Sequence, residues 1–483
     1  MHTTSQLAPN ALSSNALSSN ALSSNVRYAI AIVGGGFSGV MTAVRLLRVL
    51  PAPHAVVLFE RSDRFARGQA YATGLPCHLL NVAAARMSAF PDSPADFADW
   101  LNHTGAESAC AATEAGLFAP RKVYGDYIES IAQVALRSGR LVVVRASVTD
   151  LQPERDGVRL TTAEGLVLHA SRAVLALGNL ALGNPATGEN GTTHVCDPWS
   201  TAALAPIDPI SGDPVVVIGT GLTMVDLMLG LRARGYAGPI VAISRRGQLP
   251  HRHCPAPNWP APDFTARERR SVAALCRRVR AEAAAAASAN VDWRGVIDAL
   301  RPAVQSLWQG MPSAERRRFL RHLRPWWDVH RHRMPAPAAE AVRAERDAGS
   351  LRIHAGTILS AEPCDGGLLV NWRPRGDVAA QSTQAVRVFD ATGASNAAGS
   401  PDRLLGALRR RGLGRLDCQG LGLDVSPTLN LLDTMGRPNP RIHALGPIMR
   451  GVLWECTAVP ELRTQAQAVA RHVAAALSTS VPA

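Results

Sequence analysis

The feature that most constrains this chain is Gly34-x-Gly36-x-x-Gly39, set between the short apolar run Tyr28 to Val33 and an apolar periodicity through Val40, Val44 and Leu47. Only a tight turn from a buried strand into a helix uses three glycines at that spacing. The first permits the turn, the second lets a pyrophosphate approach the backbone, and the third lets helix and strand pack closely. Free N–H groups and a partial positive charge at the helix N-terminus favour phosphate there. A second strand, Ala55 to Phe59, follows and leads into Glu60, where an acid can hydrogen-bond ribose hydroxyls. The alternative is a glycine-rich turn that holds no ligand. The same grammar returns far along the chain: a strand at Val215 to Ile218, Gly219-Thr220-Gly221-Leu222-Thr223-Met224, a helix over Leu222 to Arg232, and a strand at Pro239 to Ile243. Two such units predict an α/β protein with two Rossmann-like dinucleotide-binding domains.

The second unit differs from the first in a way that bears on its ligand. Methionine replaces the third glycine, and its second strand ends in Ser244-Arg245-Arg246 instead of an acid. A carboxylate would repel a 2′-phosphate, whereas paired arginines can grip one. This favours NADPH over NADH, with two solvated surface arginines beside an NADH site as the alternative. Leu175-Ala176-Leu177-Gly178 precedes this unit and Asp390-Ala391-Thr392-Gly393 follows it. Both are read as crossovers between an FAD domain and an inserted NAD(P) domain, with Thr392 and Gly393 as cofactor contacts.

These marks divide the chain into a disordered leader over 1–25, a first part of the FAD domain over 26–200, an NAD(P) domain over 201–388 and the rest of the FAD domain over 389–483. The leader shows Asn-Ala-Leu-Ser-Ser three times from Asn10, without a basic or an apolar signal region. An Ala-, Arg- and Leu-rich stretch over about 264–347 reads as a helical insertion in the second domain or a cap over a cleft. Strands are expected again at Leu351 to His354, Gly367 to Trp372, Val386 to Asp390 and Arg441 to Leu445. Pro460 and Glu461 then open a last helix. This last strand and helix are expected to return to the first domain, since alone they cannot bury both faces.

Composition excludes other classes. Hydrophobic residues make up 47% and charged residues 18%, a globular profile. The net charge of +13 is nearly all arginine, Lys122 being the only lysine, and no nucleic-acid motif accompanies it. Eight cysteines include no Cys-x-x-Cys, which argues against a dithiol reductase and a structural zinc, and no metal site is expected. A reduced, cytoplasmic setting fits, and the longest apolar stretch, around Ala173 to Leu182, is about half a membrane span.

Several longer strings narrow the reading further. Gly68-Gln69-Ala70-Tyr71, His78-Leu79-Leu80-Asn81-Val82, Arg86-Met87-Ser88, Tyr124-Gly125-x-Tyr127, Trp327 to Arg333 and Trp454 to Arg463 resemble the bacterial FAD/NAD(P)-binding proteins of the YdhS type. That family includes the FAD-dependent urate hydroxylase of the HpyO kind and is related to flavin N-monooxygenases acting on amino acids. The resemblance runs from Val26 to about His472. It implies that Asn81, Met87 and Ser88 line a flavin with His78 nearby, and that Phe37, Ser38 and Arg61 join the glycine loop and Glu60 around FAD. It also places the backbone of Gly446 near the cofactor, although Ala444-Leu445-Gly446-Pro447 lacks the acid that related folds carry there. The helix from Pro460 would point its positive end at the flavin. The loop Gly191 to Trp199 is similar to the Gly-x-x-x-His-x-x-x-Trp linker of flavin monooxygenases, but both spacings differ by one residue.

The expected activity is an NAD(P)H-consuming FAD monooxygenase acting with O₂ on a small polar molecule, a urate-like heterocycle first. N-hydroxylation of an amino acid or amine, and electron transfer without oxygenation, are the alternatives. His330, Arg331 and Arg333 are candidates for a cationic substrate pocket, or else form a solvated basic helix end. Trp454 and Glu455 are site candidates, or else core and cap. Trp326 and Trp327 read as packing residues.

Overall fold

The computed structural model describes residues 27–180, 195–204, 207, 212 and 214–478. The expected leader and the first four residues of the 191–199 loop lie outside that set. Two sheets organise the rest. The first has eight strands, and its central strand Arg27–Val33 is flanked in parallel by Val56–Glu60 and Val167–Leu175. Ile30, Ala31 and Ile32 are fully buried, as an apolar run covered on both faces requires. Leu141–Arg145 extends this sheet on one side and Pro438–Ala444 on the other, with Ala444 opposite Leu175. The helix Val459–Ser478 buries Leu462, Ala466, Val469 and Val473, which join the same core as Met41 and Val44 of the helix Phe37–Val49. The first domain is therefore discontinuous, closed by the C-terminal end of the chain.

The second sheet has seven strands. Val215–Ile218, Ile240–Ser244 and Arg387–Asp390 lie parallel, with the short strand Val195–Cys196 at one edge. Leu351–Cys364 runs well past the expected His354. Its residues Leu351 to Ala355 pair in parallel with Ile240–Ser244, and from Gly356 onward it pairs antiparallel with Gly367–Pro374, with an irregularity between Ile358 and Ser360. An antiparallel hairpin, Val148–Glu154 with Gly157–Thr162, extends the first sheet in the same manner and carried no clear sequence mark.

Helices fill Ala266 to Asp347 between these strands. Phe264, Ile297, Leu300 and Leu307 form a separate small core there. A second cluster joins Trp308 of this insertion to Leu421 and Trp454 of the first domain. The insertion thus packs against the C-terminal part of the FAD-type domain as well as its own. Among the described residues no helix is long and apolar enough to cross a membrane.

Two buried histidines set an acid limit on this fold. Burial, helped by Arg172 and His472, pushes His443 of the first sheet down from 6.5 to about 4. Burial does the same to His253, whose Nε2 donates to the Asn81 carbonyl at 3.0 Å. Between about pH 6.5 and 4 the unfolded chain therefore binds protons that the folded one refuses. Stability is present above that window and is lost as pH falls through it. Thermal melts should show a midpoint that drops from about pH 7 to 5, and His443→Leu should flatten that slope.

Candidate functional site

Each glycine turn is built by the same three contacts. Gly34 N–H donates to the Phe59 carbonyl at 2.9 Å, and Ala176 N–H to the Val33 carbonyl at 2.8 Å. In the second domain Gly219 N–H donates to Ile243 at 2.7 Å, and Ala391 N–H to Ile218 at 2.8 Å. Gly34 and Gly219 have φ of 109° and 113°, open to glycine but not to ordinary residues. A Cβ on Gly34 would overlap the Ala176 carbonyl, and one on Gly219 would lie 2.6 Å from the Ala391 carbonyl. The two crossover strings thus each brace the glycine turn of their own domain.

The cradle after each turn fits a dinucleotide. Gly36 and Gly221 are the N-cap residues, no side chain caps either helix, and neither first turn carries an acid. A Cβ at Gly221 would meet nothing within 4 Å, so the backbone there borders open space. A Cβ at Gly39 would overlap the Gly34 carbonyl, which fixes the third glycine by packing. Glu60 lies under the first loop: Oε2 accepts from Gly35 N–H at 2.9 Å, and Oε1 from Ser62 N–H at 2.9 Å. Phe37 and Ser38 are buried, and Ser38 sits beside Gly446. Gly446 N–H donates to Gln465 at 2.9 Å, and Cys456 Sγ donates to the Gly446 carbonyl. Pro460 lies in the first turn of its helix, whose Leu462 and Gln465 meet Gly446. Arg61 is exposed, 3.9 Å from Asp402.

In the second domain Thr220 Oγ1 and Ser244 Oγ are 2.9 Å apart, which ties the glycine turn to the strand end. Arg245 is exposed. Arg246 is half-buried, donates to the His322 carbonyl at 3.2 Å and lies over the Trp326 ring. Thr392 closes a local turn through its N–H and Oγ1 on Asp390, and Gly393 has φ of 98°.

Other expected residues have different company. His78 Nε2 contacts the Asp226 carbonyl of the second domain at 2.8 Å, and Asn81 meets His253. Both therefore stand at the contact between domains. Met87 and Ser88 are buried; the Ser88 hydroxyl donates to the Phe90 and Ser93 carbonyls, and its own carbonyl accepts from Arg463 at 2.6 Å. Sequence spacing gave no sign of Arg121 and Asp226, which form a buried ion pair at 2.7 Å across the same contact. Only their separate settings, after Pro120 and inside an otherwise apolar helix, hint at it.

The basic string His330 to Arg333 is neither a solvated end nor a free cationic patch. Arg331 is 2.9 Å from Glu455, and Arg333 is 2.5 Å from Asp298. Both guanidiniums are buried, and burial of a charge demands such a partner. Glu455 has φ of 63°, and its Oε1 accepts from Trp327 Nε1 at 2.6 Å. Trp454 stacks on Trp308, ring centroids 4.8 Å apart, and its carbonyl accepts from Gln305. Trp454 and Glu455 are thus the anchor for the helical insertion.

Fold and paired glycine turns together define a two-dinucleotide protein of the flavoprotein class. Residues 31–180 match the FAD-NAD(P)-binding family. Over 217 residues the chain is 28% identical to the uncharacterized protein YdhS of Escherichia coli (strain K12), a match covering 42% of this chain and 39% of that one. Both findings support the YdhS-type FAD/NAD(P)-binding family read from the sequence. Among solved structures, the Kutzneria sp. 744 ornithine N-hydroxylase matches with a TM-score of 0.65 at 16% identity, over 93% of this chain and 99% of that one. A thioredoxin reductase of T. acidophilum matches at 0.50 and 12% identity, over 94% and 99%. These two likenesses show the shared fold.

The Glu455 anchor yields a direct expectation. Glu455→Gln leaves Arg331 buried without a counter-charge and should cost about 3 kcal/mol in urea unfolding. Glu461→Gln, on the more open pair with Arg301 at 3.2 Å, should cost less than half of that. Equal losses would show that the anchor has no special weight.

Proposed function

We propose that the protein is an FAD-dependent monooxygenase that consumes NADPH. The observation that carries this is the pairing of two unlike nucleotide turns in one chain, one backed by Glu60 and the other by Ser244-Arg245-Arg246. An acid suits the ribose of FAD, and exposed Arg245 with half-buried Arg246 suits a 2′-phosphate. Bound FAD, reduced by the nicotinamide, supplies the activation of O₂ and transfer of one oxygen atom. The chain's own residues bind and orient. Gly34, Gly36 and Gly39 with the helix at Phe37 hold the pyrophosphate, and Glu60 takes the ribose. The helix opening at Val459 directs its partial positive charge toward the Ser38–Gly446 contact. Arg121 and Asp226 set the second domain against the first.

A small molecule is the acceptor of oxygen. With Arg331 and Arg333 neutralised, the urate-like heterocycle loses the cationic pocket that favoured it. The second reading is N-hydroxylation, favoured by the fold shared with the ornithine N-hydroxylase. A dithiol reductase is disfavoured, since the eight cysteines include no Cys-x-x-Cys.

Anaerobic stopped-flow mixing tests the proposal. NADPH should bleach the flavin spectrum faster than NADH. Arg245→Ala combined with Arg246→Ala should weaken NADPH by about tenfold or more and leave NADH nearly unchanged, the loss of a charged phosphate contact. A yellow protein that neither nicotinamide reduces would remove electron entry and the monooxygenase with it.

A further inference from the structure

The helical insertion lines a pocket of about 510 Å³ that opens to solvent on one side. Its walls come from the helices Val272–Ser288, Trp293–Ala299, Val304–Gly310 and Arg324–Arg331, closed by Trp454 from the first domain. Aromatic faces dominate: Trp293, Trp308, Trp326, Trp327, Trp454 and Phe319. Trp308 and Trp454 stack, and Phe319 meets Trp454 edge to face at 5.5 Å. Charge enters at only two places, Arg280, which is exposed, and His330. His330 Nδ1 lies 2.7 Å from the Trp326 carbonyl and donates to it.

Close-packed interiors rarely keep an apolar space of this size, and such walls give water too few partners. The volume falls in the range of small-molecule sites and is about three times that of a cavity known to hold benzene. Lining by four helices and Trp454, around a volume of small-molecule size, suits a compact ligand. An amino acid or a urate would lose its hydrogen bonds to water here and regain few.

We propose that this cavity binds the substrate, and that the substrate is a largely apolar aromatic molecule of two or three fused rings with one anionic group. Indole faces supply offset stacking for the rings, and Arg280 at the mouth takes the anion. Trp454 links the cavity to the flavin domain. It stands between Gly446 and the helix at Val459, next to Glu455, which grips Arg331 of the insertion. As the substrate's site, the assignment rests on the monooxygenase reading; as a binding site, it stands alone.

The test uses the FAD-loaded full chain and 2-naphthoate as probe. Quenching of tryptophan fluorescence should saturate, and calorimetry should give a negative heat-capacity change. Ala283→Trp and Val304→Trp, which fill the cavity from two walls, should each weaken binding by about tenfold or more. Retained flavin absorbance and a cooperative melt show which of them is folded. NADPH-dependent O₂ uptake should rise with 2-naphthoate and not with L-ornithine. No saturable binding, or binding that both filled variants leave intact, overturns the site. Binding without added O₂ uptake, in a protein whose flavin NADPH does bleach, overturns the substrate assignment. Failure of NADPH bleaching with binding intact sinks the monooxygenase reading alone.

Discussion

The close approach of two backbones at each glycine turn is the constraint on which the architecture depends. At Gly34 the loop after Val167–Leu175 comes so near that no side chain fits, and at Gly219 the loop after Arg387–Asp390 does the same. Each approach aligns a neighbouring strand in register, Val33 with Leu175 and Ile218 with Asp390. Each also fixes where the following helix begins, and so where its N–H groups point. Strand order, helix placement and phosphate cradle are therefore one geometric decision made twice. The chain crosses to the second domain only after the first turn is braced, and leaves it only after the second is.

The insertion obeys a different constraint. Its helices meet the flavin-type domain through the segment 446–461, where a polar anchor sits in an apolar setting. Glu455 adopts a left-handed backbone with its side chain buried, where it accepts from Trp327 Nε1 and forms an ion pair with Arg331. A conformation this unfavourable persists only where the surroundings over-determine it. Trp308 Nε1 adds a bond to the Gly451 carbonyl at 2.8 Å, which fixes the indole on which Trp454 stacks. The wall toward the flavin domain is formed by Trp454, while the opposite wall belongs to the insertion alone.

What could be read from the sequence followed the range of the cause. Glycine turns, their helices and the crossover strings are set by backbone geometry within a few residues, and their spacing carried them. The strand from Leu351 was legible only to His354, because its second half is held by Gly367–Pro374 and alternates weakly. Arg331 and Arg333 read as a cationic pocket or a solvated helix end, since charge shows in a sequence and its buried partners do not. Glu455, the partner of Arg331, is supplied by a distant segment, and no local pattern announces it. Arg121 and Asp226 were missed for the same reason. Trp326 and Trp327 read as packing residues, but both line the pocket, and a wall is also packed on one side. Only the assembled helices reveal that the other side is empty.

One contact draws the two halves of the site together. Trp326 is among the few exposed large apolar side chains, and Arg246 lies over its ring while donating to the His322 carbonyl. An arginine can stack on an indole with its planar face and still offer edge N–H groups to a phosphate. Arg246 therefore touches the rim of the cavity from the side of the nicotinamide turn. Ordering of Arg246 by an anion would also order Trp326, because the two share one contact. The mouth of the cavity and the second nucleotide turn are in that sense a single surface, built from the strand end at Ser244 and the helix at Arg324.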